Sequence, residues 1–280
     1  MNAIPRYLSA AELTRLCDYL YRRTGMLFGE SKRYYIDRRV SERVLATKSS
    51  SFSAYFSYLV SEPAEAELLI NSFTVNETYF YREAHQLECL STSILPDLIR
   101  HKVPGDRIRI WSVPCSTGEE PFSIAIWLLE NWRLVDAYNV EIIGSDIDTA
   151  ALRQAMVGRF GQRALSRLPE PLRDAYFHRI DEESWQIIDD LRQSVSFHQS
   201  NLIDTTSMAR EGRFDVVFCR NVLIYFDDAA RALAVNHLYD AMQPGAYICL
   251  GHTESMGRIS QRFRPVRFGD TVVYQRVGEV

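Results

Sequence analysis

Two glutamates follow a glycine directly, Gly118-Glu119-Glu120, where an apolar run gives way to a helix-like pattern. Further along, other apolar runs end in polar residues: Asp146, Asn201, Asn221 and the pair Gly251-His252. In an open α/β sheet, ligands sit outside the carboxyl ends of the strands, so residues in these places would line one pocket. Such a pocket is acidic and rich in amides. It would repel a phosphate at the start of the helix. A carboxylate ending the second strand can accept hydrogen bonds from ribose hydroxyls. Asp146 stands there, 28 residues beyond Gly118. The break has one glycine rather than the three of GxGxxG, and no Walker lysine motif is present. The chemistry that suits these residues is recognition of a nucleoside without a diphosphate. An NAD-dependent oxidoreductase is disfavoured.

The elements that must position them follow from periodicity. Arg107–Val113 reads as a covered strand, Pro114–Gly118 as a tight turn, and Glu119–Leu129 as a helix with Phe122, Ile126 and Leu129 on one face. Val140–Asp148 is a second strand, and Asp148 suits the N-cap of a helix over Ala150–Val157. Further strands are expected at Val195–His198, Phe214–Cys219 and Ala246–Leu250, with a helix over Asp227–Met242. A hairpin with a Gly269-Asp270 turn is expected over Val266–Tyr274. Residues 158 to about 194 break the alternation, with one short strand-like run at Ser184–Ile188, and read as an inserted subdomain.

Residues 1–75 read as a separate helical domain, and 76–280 as the α/β domain. Ser9 and Glu12 form a capping box flanked by Leu8 and Leu13, and Gly25 suits the end of that first helix. Helices are expected at Ser31–Lys48, burying Ile36, Val40 and Val44, then at Phe52–Val60 and Glu65–Val75. Thr74–Glu83 has no clean period and reads as a linker that folds against something. Leu87 to Ile99 is helical again.

Of the 280 residues, 46% are hydrophobic and 24% charged, as in ordinary soluble domains. Net charge is −4, which gives no general attraction to nucleic acid. No apolar run approaches the roughly 20 residues of a membrane span. The first residues lack a signal-peptide pattern. The five cysteines are scattered, without CxxC or zinc-site spacing. A cytoplasmic monomer with reduced thiols and no metal site is expected. Between Arg15 and Lys48 there are nine basic and four acidic residues, a local +5. This is a solvated helix face or a docking face for an acidic partner.

Phosphate-free, cationic and nucleoside-like describes S-adenosyl-L-methionine, whose sulfonium tolerates nearby acids. The chain resembles the chemotaxis receptor methyltransferases, the CheR family. The resemblance rests on NETYFYRE (Asn76–Glu83), WSVPCSTGEEPFSIAI (Trp111–Ile126), SDID (Ser145–Asp148), SNL (Ser200–Leu202), FCRNVLIYF (Phe218–Phe226) and GHTES (Gly251–Ser255). It covers residues 10–275, and the motifs together are highly specific. It implies a class I methyltransferase α/β fold with a small all-helical N-terminal domain and an inserted β-subdomain. It implies methyl transfer to glutamate γ-carboxylates on chemoreceptor cytoplasmic helices, with S-adenosyl-L-homocysteine as product. Carried over by motif, the cofactor site would hold Asn76, Thr78, Arg82, Glu120, Asp146, Asn201, Leu202, Asn221 and Val222. Arg82 and Tyr225 would border the reacting end as catalytic residues.

A glutamate side chain, with a reference pKa of about 4.3, is already anionic at neutral pH. No general base is needed, and His252 is not expected to be catalytic. The basic helices would dock the acidic receptor segment through Arg33, Arg38, Arg39 and Arg43. Some family members grip a receptor's C-terminal peptide with the β-subdomain. The insert is short around Tyr176–Phe197 and has no glycine at Asp181–Ser184, so action without that tether is expected. The alternatives are a methyltransferase of another sensory receptor and a non-catalytic adaptor that binds the cofactor or its product.

Overall fold

Residues 7–278 are described by a computed structural model; residues 1–6 and 279–280, at the outer ends of the two expected domains, lie outside the described residues. Four helices come first: α1 (Ala10–Thr24), α2 (Arg33–Ala46), α3 (Phe52–Ser61) and α4 (Pro63–Phe73). The Ser9–Glu12 capping box closes the start of α1, and Gly25, at φ +72°, closes its end. Pro63 opens α4 at the position where its missing N–H costs nothing. Leu16, Leu20, Ile36, Val40, Leu59 and Leu69 are fully buried between these helices. The linker then runs into α5 (Ala84–Cys89), one π-helical turn (Leu90–Ile94) and α6 (Leu95–Leu98).

The second part alternates. β1 (Arg107–Ser112), α7 (Glu119–Asn131), β2 (Asn139–Asp146) and α8 (Thr149–Val157) follow in order. The insert holds β3 (Arg159–Gly161), α9 (Glu170–Tyr176), β4 (Phe177–Arg179), β5 (Ser184–Ile187) and α10 (Asp189–Gln193). Then come β6 (Val195–Gln199), α11 (Thr205–Met208), β7 (Phe214–Cys219), α12 (Asp228–Asp240), β8 (Met242–Leu250), β9 (Phe263–Phe268) and β10 (Thr271–Arg276). One seven-stranded sheet has the order β6-β2-β1-β7-β8-β10-β9. Its first five strands are parallel, and β10 runs antiparallel to β8 and β9. The three strands of the insert form their own antiparallel sheet, β3-β5-β4.

The chain moves outward from β1 through β2 to β6, then returns to the other side of β1 for β7. The direction of winding therefore reverses between β1 and β7, and a crevice opens there at the strand ends. β7 is entirely buried, and β1 and β2 are buried over the halves that lead to the site, as strands covered on both faces must be. Trp111 in β1 stacks on Phe214 at 4.6 Å and donates its indole N–H to Ser145 Oγ at 2.9 Å, which fixes β1 against β2.

The helical part is bonded to the α/β part at several points. Tyr21 donates to Asp227, Leu27 N–H to the Tyr225 carbonyl, and Asn71 to Thr149. Met26 and Phe226 form an isolated antiparallel bridge. All five cysteines are free thiols, four of them buried. Among the described residues no helix is long and apolar enough to cross a membrane.

Candidate active site

The turn after β1 is shaped by hydrogen bonds to the end of β2. Cys115 N–H donates to the Ser145 carbonyl at 2.8 Å and Ser116 N–H to Asp146 Oδ2 at 2.7 Å. Gly118 has φ +95°, and a Cβ there would lie 2.9 Å from Ala155 Cβ. The one glycine of the turn is needed for backbone shape and for the close approach of α8.

Asp146 is buried at the end of β2, and its Oδ1 also accepts the Asp148 N–H at 2.8 Å. Burial pushes its pKa up to about 6, against the pull of these backbone donors. Each carboxylate oxygen has two lone pairs, so capacity remains for two ligand hydroxyls. Asp148 caps α8 through Ala150 and Ala151 N–H, as its position suggests. It also accepts from Thr74 Oγ1 and from Asn76 Nδ2, the latter at 2.8 Å. Asn76 in turn accepts from Ser116 Oγ at 2.9 Å. The linker is thus laced across the strand ends.

The rest of the linker is anchored by Phe80, fully buried and packed edge-on against Phe160 and Phe177 of the insert at 4.9 and 5.2 Å. Tyr81 and Glu83 adopt left-handed backbone, at φ +59° and +57°. Arg82 does not form the ion pair with Glu83 or Glu120 that its neighbours would allow. It gives one N–H to the Glu77 carbonyl at 2.6 Å and lies 5.7 Å from the centre of the Tyr79 ring.

Arg220 takes that structural role instead. Its buried guanidinium meets Glu120 at 2.6 Å and Glu83 at 3.3 Å and donates to the Arg82 carbonyl at 3.0 Å. Glu120 also accepts from Ser112 Oγ at 2.7 Å. Burial raises the Glu120 pKa, opposed by Arg220. Burial works on Glu83 in the same sense, but Arg220 and His252 more than offset it and leave that carboxyl below its usual range. His252 is engaged at Glu83, 3.2 Å away. Glu119 is buried, accepts from Thr117 Oγ1 at 2.6 Å, and is raised by burial.

These residues enclose one cleft with two chambers. The outer, about 470 Å³, is lined by Asn76, Asp146, Asn221, Val222 and Tyr225 from the α/β part and by Lys32, Tyr34 and Tyr35 from the helical part. The inner, about 60 Å³, holds Thr78, Arg82, Glu120 and Arg220. They meet at Val75, Pro114, Ser116 and Asn221. A larger cavity of about 760 Å³ lies beside it, along α4 and the end of β6. It contains neither Asp146 nor the Pro114–Gly118 turn, so the cleft at the sheet's reversal is the better candidate.

Two of the expected cofactor residues have their side chains elsewhere. The Asn201 amide is committed to the Arg23 carbonyl at 2.8 Å and to Ile203 N–H, and it lines the neighbouring cavity. The Leu202 side chain is buried in the core beneath α12. The expected docking set also needs correction. Arg43 turns inward to Glu65, 2.5 Å away, which also accepts from Tyr55. Arg33 bonds the Leu8 carbonyl and faces Asp37. Arg38 stays exposed beside Glu42, and Arg39 is half-buried between Glu42 and the face of Tyr35.

Sequence reading missed Arg220 and Glu254 as working parts. Glu254 accepts the N–H groups of Gly251, Asn221, Val222 and Leu223 at 2.8–3.0 Å. It ties the end of β8 to the corner after β7, where Asn221 has φ +59°. Both lie inside motifs quoted above; only their partners, distant in the chain, are invisible there.

The site suits S-adenosylmethionine. Asp146 has free acceptor capacity for a ribose, and Glu120 can meet an ammonium. Arg220 Nε is buried beside the inner chamber with no hydrogen-bond partner, as a carboxylate-bearing ligand would require.

Comparison with known proteins agrees with this geometry. Residues 11–74 match the family described as CheR methyltransferase, all-alpha domain, and residues 76–272 match CheR methyltransferase, SAM binding domain. Chemotaxis protein methyltransferase 2 of Vibrio cholerae is 46% identical, across 99% of this chain and 96% of its own length. Its namesake from Pseudomonas aeruginosa is 37% identical over 91% of this chain and 89% of its own. The chemotaxis protein methyltransferase of Borreliella burgdorferi is 31% identical over 88% of each.

Proposed function

The chain belongs to the CheR methyltransferase family, and from that premise we propose that it methylates glutamate γ-carboxylates on the cytoplasmic helices of chemoreceptors. It is an S-adenosylmethionine-dependent methyltransferase of chemotaxis. The observation that carries the finer reading is a cation without a carboxylate partner, Arg82, in the same cleft as the ribose-accepting Asp146. Asp146 lies in the outer chamber, and Arg82 borders the inner one.

When bound, the cofactor supplies an electrophilic methyl group on a sulfonium. An acceptor glutamate arrives already ionised, so the chain needs no base. Its work is to orient the acceptor and to strip water from it. Arg82 keeps donors beyond the one given to Glu77 and can align an incoming carboxylate. Tyr225, half-buried, forms the wall beside it. Asp146 holds the ribose, and Asn76, Thr78, Glu120, Asn221 and Val222 complete the cofactor's surroundings. Arg220 and Glu254 hold the segments that carry these residues. Asn201 and Leu202, if they contribute, do so through backbone groups. The reaction leaves a methyl ester and S-adenosylhomocysteine in the cytoplasm, where the receptor segments lie.

The test is transfer of tritiated methyl from the cofactor to receptor cytoplasmic fragments. Base-labile label released as methanol supports glutamate esters. Base-stable label, or none with cofactor binding intact, rejects them. Arg82→Ala is expected to lose most turnover while retaining its fold; turnover close to the unaltered protein would remove Arg82 from the reaction.

A further inference from the structure

The helical domain brings a cation of its own to the cleft. Lys32, in the turn that opens α2, lines the outer chamber with Asp146, Asn221 and Tyr225. Its Nζ lies 5.7 Å from the centre of the Tyr225 ring. Among the described residues it pairs with no carboxylate, whereas Arg33, Arg38, Arg39 and Arg43 on the same helix all do. Arg82 is likewise without a carboxylate, and its charge pulls the Tyr225 pKa down against the larger effect of burial. The cleft thus carries two cations without carboxylate partners, Lys32 beside Tyr225 in the outer chamber and Arg82 in the inner one, each from a different domain.

This arrangement is selective. Asp146 and Glu120 disfavour anions near them, while Lys32 and Arg82 attract them. Arg220, in the inner chamber, is already held by Glu83 and Glu120 and is placed for an anionic end of the cofactor, which leaves Lys32 and Arg82 for something else. Around them Leu27, Tyr34 and Val75 are exposed at 59%, 74% and 59%, an apolar border suited to the flank of a helix.

We propose that Lys32 and Arg82 together hold the acceptor γ-carboxylate where the two chambers meet, so that the helical domain forms part of the active site and selects an anionic side chain over its neutral amide. This rests on the glutamate reading above. Glutamate and glutamine have nearly the same shape, so discrimination must come from charge, and the two cations supply it.

Full-length protein and a receptor cytoplasmic fragment test the proposal. Lys32 is exposed, so its replacement leaves the fold intact. Lys32→Met should raise the KM for the fragment about tenfold, the scale of one charge-assisted contact. The calorimetric Kd for S-adenosylhomocysteine should stay unchanged, and Lys32→Arg should recover most of the loss. An unaltered fragment KM in Lys32→Met overturns the proposal. So does a fall in S-adenosylhomocysteine affinity that accounts for the lost activity, because Lys32 would then serve the cofactor. Absence of base-labile label with the unaltered protein would overturn the glutamate reading as well, which separates the two failures.

Discussion

Asp146 connects a single titration to cofactor affinity. Its carboxyl is held up at about 6 by burial, with the Asp148 charge adding to that and backbone donors opposing it. A ribose needs the ionised form as acceptor. The ligand-free protein carries the proton below pH 6, so binding must expel it there. The sign is therefore fixed: affinity for S-adenosylhomocysteine is full above pH 7 and falls as pH drops through 6, by about tenfold per unit once well below. Glu119 and Glu120 are raised by burial as well, so the profile of the unaltered protein alone does not assign the group. Asp146→Asn does. It should bind more weakly at pH 7.5 and lose most of the slope between pH 7 and 5 in calorimetric titrations. An unchanged slope would place the titration on another carboxyl.

At the scale of elements, α2 divides its charges between two tasks. Arg43 is locked into the helical core with Glu65, whose side chain is only 3% exposed. Removing one member of a buried pair strands the other, at a cost of about 3–5 kcal/mol. Arg43→Ala should accordingly lower the urea midpoint of unfolding sharply, with receptor affinity affected only through loss of folded protein. Arg38 and Arg39 lie outside, and their pairs with Glu42 are of the surface kind worth about 0–1 kcal/mol. Arg38→Glu with Arg39→Glu should leave stability nearly unchanged and weaken receptor binding, most at low salt. A flat salt response in the unaltered protein would remove the docking face. Helical phase does not separate these arginines: Arg39 and Arg43 share a helix face, yet only Arg43 reaches Glu65. The local signals were more legible. The Ser9–Glu12 box, Gly25, the Asp148 cap and the strands β1, β2, β6 and β7 depend on neighbours within a few residues. β8 begins at Met242, earlier than the expected Ala246, because Pro244-Gly245 reads as a stop although both residues fit the solvent-facing end of this strand. β3 and β4, with three residues each, are too short to show a period. The side chains of Arg220, Glu83 and Glu254 meet partners as far as 169 positions away, which no window of sequence reveals.

The whole molecule matters because the cleft belongs to both domains. Lys32, Tyr34 and Tyr35 face Asp146 and Tyr225 across it, so parting the domains should empty the site. Gly25 sits at the seam. At φ +72° it ends α1, and a Cβ there would lie 2.9 Å from Ile203 Cγ2 and 3.2 Å from Ala230 Cβ. Gly25→Ala thus combines left-handed strain with crowding, each worth about 1–3 kcal/mol. The crowding falls on the contact between the domains, since Ile203 and Ala230 belong to the α/β part. In the unaltered protein S-adenosylhomocysteine at 100 times its Kd adds about 2.7 kcal/mol, and one cooperative calorimetric transition should move up as a unit. In Gly25→Ala the transition should broaden or split, with the helical domain melting first, and S-adenosylhomocysteine should bind several-fold more weakly although no residue of the α/β floor has changed. A single sharp transition with unaltered affinity would mean that the helical domain covers the cofactor without helping to hold it.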